Sequence, residues 1–404
     1  MFKLSHSENL TWEINVSASK NAALPILAAN FLVDKKVSLT NLPNIIDVNI
    51  LDKIWDTYLQ DWHLIWPEVE RIRSSILLIP VWLYKFWKIN FSNCWWCSLW
   101  KRPLDTFDKA FEQAGVKVLV KPEKKIFKVV SKPNKKIVLD SFSVTGTEAL
   151  LIYLAFLDKI DYEIEIVNIA IEPHVIDLIN FLKILWANIK LSYDHRVFIK
   201  PSKINIVNYE YEIVSDYIEA WTYFAMWAIA ENSEILIKNV NPDHLNAMFS
   251  IANQIWIQYE TGQDFIKVNS YNKKKYKPTK LQTMIYPWFP TDLQSIFWAL
   301  LTQVNWISKI HEVLFEWRFW YFAELENMWA RVEVLNPHEV LIIWWWKLRW
   351  TYVNSRDLRA GASLILAGIV AEWETFITNE NIIKRGYEDI VNKLLGIWVK
   401  IEEV

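Results

Sequence analysis

Glycine is nearly missing from this chain: 7 residues in 404, against 25 tryptophans, where an ordinary globular chain is about 7% glycine. So few glycines leave few places where the backbone turns left-handed without a Cβ penalty. Either the turns are built differently, or they hold glycine that the printed letters do not show. Cysteine is scarcer still. Two residues, Cys94 and Cys97, exclude a disulfide framework and fit a reducing compartment. No apolar run reaches the length of a membrane span, and the opening MFKLSHSENLTWEI lacks the charged-then-apolar layout of a signal peptide. A formal net charge of -2 supplies no field to attract nucleic acid. These absences point to a cytoplasmic protein with neither membrane nor nucleic acid as partner. Arginine is rare too, 10 against 34 lysines; where it is kept, its planar fork for carboxylate and phosphate gives a reason.

What is present is apolar: 52% hydrophobic and 22% charged residues can bury substantial cores. A length of 404 residues exceeds what one core usually serves, so two domains are expected.

The tryptophans recur in fixed places. Six stretches, 53 to 73 residues apart, end a helix-like run and step into a short strand: LQDWHLI, EQAGVKV, KILWANIKL, ANQIWIQYE, ENMWARVEV and LLGIWVKI. Their shared slot holds Trp62, Gly115, Trp186, Trp256, Trp329 and Trp398. After a last helical turn the chain commonly goes left-handed, and glycine or asparagine sits there. A second slot, between a helix and the next strand, holds Trp87, Trp306 and Trp373, with Asn232 in the parallel copy. The pattern reads as UGA codons translated as glycine in the source and printed as tryptophan. The run IIWWWKLRWTYV reads in the same way as a glycine turn between strands, whereas Trp55, Trp82, Trp227 and Trp298 fall inside helix-like runs.

The six stretches close six repeats of one plan: an Ala- and Leu-rich helix, a turn, a short strand, a second helix and a closing strand. SLTNL, INFSN, EIEIVNI, EILIKNV and TFITNE read as the strands. Helices alternating with strands imply an α/β fold, and repeats must bury their faces on one another. The Lys- and Pro-rich stretch 121–140 reads as an exposed hairpin.

Two sets of residues suggest chemistry. SNCWWCSLWKRP (92–103), with glycine for tryptophan, is a mobile loop with Cys97 five residues before Arg102. A guanidinium nearby favours thiolate, which suits a reactive thiol or an acid near neutral pH; a buried inert cysteine is the alternative. Zinc lacks a second ligand pair. The other set comprises Asp292 in YPWFPTDLQ, Asp357 and Arg359 in SRDLRAGA, and Arg385 in IKRGYED. Singly such residues are helix caps or surface ion pairs. Together, the scarce arginines suggest an anionic, phosphate-bearing substrate.

SASKNAALPILAA, IRSSILL, CWWCSLWKRPLD, VNIAIEPHVIDL, IEAWT, PWFPTDLQ, FEWRF, DLRAGASLILAG and KRGYED follow in order along nearly the whole chain. With tryptophan taken as glycine, this series resembles the enolpyruvyl transferases, specifically those acting on UDP-N-acetylglucosamine at the start of peptidoglycan synthesis. The family has glycine at Trp12, Trp95, Trp96, Trp100, Trp186, Trp221, Trp329, Trp350 and Trp373. The resemblance implies a two-domain inside-out α/β barrel of six βαβ-type repeats, one domain over 20–213 and the other over 1–19 with 214–404. The 92–103 loop would close over a cleft between them. Enolpyruvyl would pass from phosphoenolpyruvate to the 3-hydroxyl of UDP-N-acetylglucosamine, with no metal or organic cofactor. Lys20, Arg102, Arg359 and Arg385 would hold the donor. Cys97 would protonate its methylene carbon or form an adduct. Asp292 would accept the hydroxyl proton, and Asp357 would assist proton transfer. Asn21, Arg73, Arg318, Arg102, Pro103, Leu104, Asp105, Ser143, Val144 and Leu314 would position the nucleotide sugar.

The sequence departs from the family at Cys94, where proline is usual, at Tyr217 in place of arginine, at Ser141 in place of a common lysine, and in the order Thr145-Gly146. The sister enzymes that make 5-enolpyruvylshikimate 3-phosphate share fold and donor but lack the cysteine loop. If the tryptophans are literal, a Trp-rich binding protein without catalysis is the other reading.

Overall fold

The computed structural model describes the chain except residues 59–62, 65, 66, 93–104, 123, 193 and 207, and gives only the backbone of 58, 63, 64 and 92. It divides into two compact units, Ala18–Val214 and Met1–Ser17 with Ser215–Val404. Each has its own hydrophobic core.

In the second of these units, three helices lie at the centre: Tyr217–Ile229, Gln294–Leu301 and Leu358–Val370. Every residue of the first two, and all but Leu358 of the third, is buried. A helix buried on all sides must be wrapped on all sides, and these three pack against one another. Around them stand three four-stranded sheets of one design. Thr11–Asn15 runs parallel to Glu234–Lys238, followed by antiparallel Phe265–Asn269 and Gln258–Thr261. Lys280–Thr283, Ile307–Glu312, Glu339–Ile343 and Arg331–Asn336 repeat that pattern. So do Tyr352–Asn354, Glu374–Thr378, Phe2–Ser5 and Ile401–Glu403. Along Glu234–Lys238 the buried positions alternate, so Ile235 and Ile237 face the helices while the charged ends stay outside.

The other unit also has three helices in mutual contact, Lys20–Asn30, Leu78–Phe86 and Val144–Leu154. Two of its sheets have the same strand pattern. His63–Leu64, Lys88–Ser92, Lys124–Val129 and Val116–Val120 form one, and Lys136–Val138, Ile164–Val167, Arg196–Lys200 and Asn188–Ser192 the other. Ser38–Leu39 and Glu210–Tyr211 make a parallel pair. Among the described residues, no helix is long and apolar enough to cross a membrane.

The five stretches read as strands are strands, at Ser38–Leu39, Lys88–Ser92, Ile164–Val167, Glu234–Lys238 and Glu374–Thr378. Three of them end in a left-handed asparagine, Asn168, Asn239 and Asn379. The 121–140 stretch is not a hairpin. Lys124–Val129 is an inner strand of one sheet and Lys136–Val138 an edge of another, because Phe127 and Ile137 are buried in separate sheets despite the surrounding lysines.

The helix-end slots are left-handed. Gly115 has φ +83°, and Trp186, Trp256, Trp329 and Trp398 have φ between +70° and +73°. In the second slot Trp87, Trp306 and Trp373 have φ of +62°, +75° and +65°, and Asn232 has +51°. Trp12 and Trp317 add two more, while Trp62 lies outside the described residues. At Gly115 a Cβ would stand 2.2 Å from the Ser131 carbonyl oxygen. Trp344, Trp345 and Trp346 do join two strands, but with ordinary φ.

Candidate active site

The polar residues singled out from the sequence gather at the starts of the inner helices. There the first backbone N–H groups lack helical partners and the helix dipole is positive. Asp216 caps Tyr217–Ile229, accepting from the N–H groups of Ile218 at 2.8 Å and Glu219 at 3.2 Å. Asp357 caps Leu358–Val370 through Arg359 and Ala360 at 2.9 and 3.0 Å. Asp292 sits in the short turn Thr291–Leu293 that leads into Gln294–Leu301.

These starts converge on two arginines. Arg318 donates from Nη2 to Asp292 Oδ1 at 3.0 Å and from Nη1 to Thr291 Oγ1 at 2.6 Å. Burial works against the Arg318 cation, but Asp292, with Asp357 and Glu312 near it, holds its pKa above the ordinary arginine value. Arg359 is 5% exposed, and its Nη1 has no partner among the described residues. Burial opposes this charge as well. Tyr387, Asp216 and Asp292 nevertheless keep it protonated, raising its pKa. Its guanidinium lies over the Tyr387 ring, 5.4 Å from the centroid, and the Tyr387 hydroxyl meets Thr222 Oγ1 at 2.9 Å.

A buried cation with an unspent donor is expensive unless something anionic completes it. Arg359 therefore has the makings of an anion site, beside carboxylates able to take a proton.

Arg385 ends the Glu380–Lys384 helix. Its segment is brought beside Arg359 by two glycines. A Cβ on Gly361 would come 2.5 Å from Ile383 Cγ1, and one on Gly386 2.5 Å from Leu358 Cδ1. Glycine in DLRAG and KRG thus lets the two segments touch. Glu388 of the same motif accepts from Ser17 Oγ at 2.9 Å, and buried Glu219 pairs with Lys393 at 2.8 Å. Leu314 lies directly before FEWRF, two residues past the end of the strand Ile307–Glu312, and its N–H bonds to Glu312.

In the Ala18–Val214 unit the expected residues again mark helix starts. Lys20 and Asn21 open Lys20–Asn30 behind the Ser19 cap. Lys20 Nζ lies 2.6 Å from Asp47 Oδ2, so an incoming anion would share that charge with Asp47. Arg73 opens the 3₁₀ turn Arg73–Leu77, which runs into Leu78–Phe86. Ser143 caps the helix that begins at Val144, accepting from Gly146 N–H at 3.1 Å. Asp105 opens Asp105–Gln113, and Ser141 Oγ is 3.3 Å from Thr106 Oγ1. Cys97, Arg102, Pro103 and Leu104 lie outside the described residues, as does Cys94. Tyr217 is buried against Tyr286.

Sequence reasoning missed Asp216, Thr291, Glu312 and Tyr387. Asp216 had a readable signal, an aspartate directly before a long, largely apolar helix. Thr291 and Glu312 had none, because their importance comes from a contact between segments.

Arginines and carboxylates clustered at buried helix starts in an α/β protein suit an anionic small molecule, and comparison with known proteins gives the family. The sequence model for EPSP synthase (3-phosphoshikimate 1-carboxyvinyltransferase) matches residues 96–394. The UDP-N-acetylglucosamine 1-carboxyvinyltransferase of Halothermothrix orenii is 34% identical, covering 100% of this chain and 99% of its own. Its namesake in Borreliella burgdorferi is 31% identical over 97% of this chain and 96% of the relative. Among solved structures, the enolpyruvyl transferase NikO of Streptomyces tendae superposes with a TM-score of 0.87 at 18% identity, covering 100% of this chain and 98% of that one. EPSP synthase of Acinetobacter baumannii gives 0.71 at 12% identity, with 99% of each chain covered. The chain belongs to the EPSP synthase family of carboxyvinyl transferases, and it is an enzyme of that class.

Proposed function

We propose that the chain transfers enolpyruvyl from phosphoenolpyruvate to the 3-hydroxyl of UDP-N-acetylglucosamine and releases phosphate, the first committed step of peptidoglycan synthesis, in the cytoplasm. The observation that carries this reading is Arg359, a buried guanidinium with an unspent donor beside Asp292. The full-length relatives named for this reaction give the acceptor.

Arg359 and Arg385 hold the carboxylate and phosphate of the donor, joined by Lys20 and Arg102. Asp292 takes the proton of the acceptor hydroxyl as its oxygen bonds to the central carbon. Cys97 delivers a proton to the methylene carbon or forms an adduct, and Asp357 assists the transfer. Loss of a methyl proton and of phosphate then restores the double bond, so atoms and charge balance. Asn21, Arg73, Arg318, Asp105, Ser143, Val144 and Leu314, with Pro103 and Leu104, position the nucleotide sugar. The recurring sheet pattern is taken as six copies of one repeat in an inside-out barrel.

The test is phosphate release by purified full-length protein offered each acceptor in turn. Release with UDP-N-acetylglucosamine and none with shikimate 3-phosphate is expected. The reverse preference would transfer the reading to the sister reaction. Asp292→Asn and Arg385→Ala should each lower kcat/KM by about a hundredfold or more while melting as the parent does.

The same reading includes glycine, not tryptophan, at the left-handed positions of the natural protein. An indole there is strained and exposed at once. Tryptic peptides of protein from the source organism decide it: Ile184–Lys190 should carry glycine at position 186, and tryptophan found there would remove this part of the account.

A further inference from the structure

We propose that Ser17 is a positioning residue of the donor site: its hydroxyl stands between Lys393 and Glu388 and so sets where the segment carrying Arg385 lies. The inference rests on the assignment of Arg385 to phosphoenolpyruvate in the proposed reaction.

Lys393, in the short helix Ile390–Leu395, is anchored by the buried carboxylate of Glu219. Glu219 is 2% exposed, and a carboxylate so deep must be well bonded to be tolerated. Three donors meet it. Oε1 accepts from Lys393 Nζ at 2.8 Å and from the Tyr223 hydroxyl at 2.7 Å, and Oε2 accepts from the N–H of Ser17 at 2.8 Å. The Ser17 carbonyl accepts in turn from the N–H of Asp216 at 2.9 Å. One glutamate at a helix start therefore fixes both Ser17 and the Lys393 ammonium.

The Ser17 hydroxyl carries this anchor to the KRGYED segment. Lysine has no acceptor, so the contact of 2.5 Å between Lys393 Nζ and Ser17 Oγ uses a lone pair of the hydroxyl, and the single hydroxyl proton goes to Glu388 Oε2 at 2.9 Å. The oxygen thus acts as a spacer between a cation and a carboxylate. Opposite charges attract at such range, the more so where water is partly excluded, and without the spacer Glu388 is drawn toward Lys393. The segment has little slack to absorb that movement. Tyr387, beside Glu388, meets Thr222 Oγ1 at 2.9 Å and carries the Arg359 guanidinium over its ring, and a Cβ on Gly386 would stand 2.5 Å from Leu358 Cδ1. A pull at Glu388 therefore reaches Arg385 and Arg359, where a misplacement of about 1 Å can cost up to about a hundredfold in rate.

Ser17→Ala removes the hydroxyl and leaves both the backbone N–H and the Glu219–Lys393 pair, whereas Ser17→Thr keeps the hydroxyl. In the full-length chain, Ser17→Ala should raise KM for phosphoenolpyruvate by about tenfold or more, with KM for UDP-N-acetylglucosamine within about twofold of the parent, and Ser17→Thr should recover most of the loss. A crystal structure of the alanine variant should show Glu388 in direct contact with Lys393. A role in stability alone would lower the melting temperature and leave the ratio of the two KM values unchanged. An unaltered KM for phosphoenolpyruvate in the alanine variant, an equal rise in both KM values, equal losses in the two variants, or Glu388 in its parent place in the alanine structure would each overturn the inference. Should the parent fold yet transfer nothing to UDP-N-acetylglucosamine, the functional reading falls, and the crystal structure still decides whether Ser17 sets the place of Glu388.

Discussion

The turns and the buried helices of this molecule both carry tryptophan, and they treat it in opposite ways. Nine tryptophans among the described residues have positive φ, and all nine are between 47% and 76% exposed. Each holds left-handed backbone, at about 1–2 kcal/mol for an L-residue, while its indole gains little from burial. Trp55 and Trp82, inside helices, are 4% and 0% exposed. Trp55 stacks on Phe31 with centroids 4.3 Å apart and meets Trp82 edge-on at 5.6 Å, geometries that aromatic pairs favour. The proposed reading, glycine at the left-handed positions of the natural protein, would account for the difference.

The inner helices of the larger unit are less comfortable. Trp221, Trp227 and Trp298 bury indole N–H groups without an acceptor among the described residues, and the Trp298 ring centroid is only 3.2 Å from that of Phe322.

Substitutions can break or sharpen the contrast. Trp55→Ala should cost about 3–5 kcal/mol in a denaturant melt, since it empties a packed aromatic site. Gly115→Trp should cost about 3 kcal/mol, because the Ser131 carbonyl leaves no room for a side chain. Trp186→Gly should do the opposite and stabilise by about 1 kcal/mol. Trp256→Gly should gain least. There Lys277 Nζ lies 3.4 Å from the ring centroid, and that lost cation–π contact of about 0.5–1 kcal/mol offsets part of the relieved strain. A Trp186→Gly variant that melts lower than its parent would end the argument from backbone strain.

The left-handed helix ends were readable from the sequence because a repeated slot exposes its backbone requirement: Gly115 and Asn232 in two copies mark the positive φ that the other copies share. Asp357 and Arg359 were readable because DLRAGA joins a capping residue to a helix start. The Lys-rich 121–140 stretch misled because composition reports the solvent face, whereas Phe127 and Ile137 alone decide which sheets its two strands enter. Thr291 and Glu312 stand 21 residues apart, and nothing periodic links them, so only the folded chain brings out their bond.

The most direct test compares two full-length chains, one as printed and one with glycine at the nine left-handed positions and at Trp95, Trp96 and Trp100. Each is given phosphoenolpyruvate with and without UDP-N-acetylglucosamine, and phosphate is measured. The account predicts acceptor-dependent release by the glycine chain and little or none by the printed one. Equal turnover by both chains, or no release by the glycine chain although it folds, would contradict it.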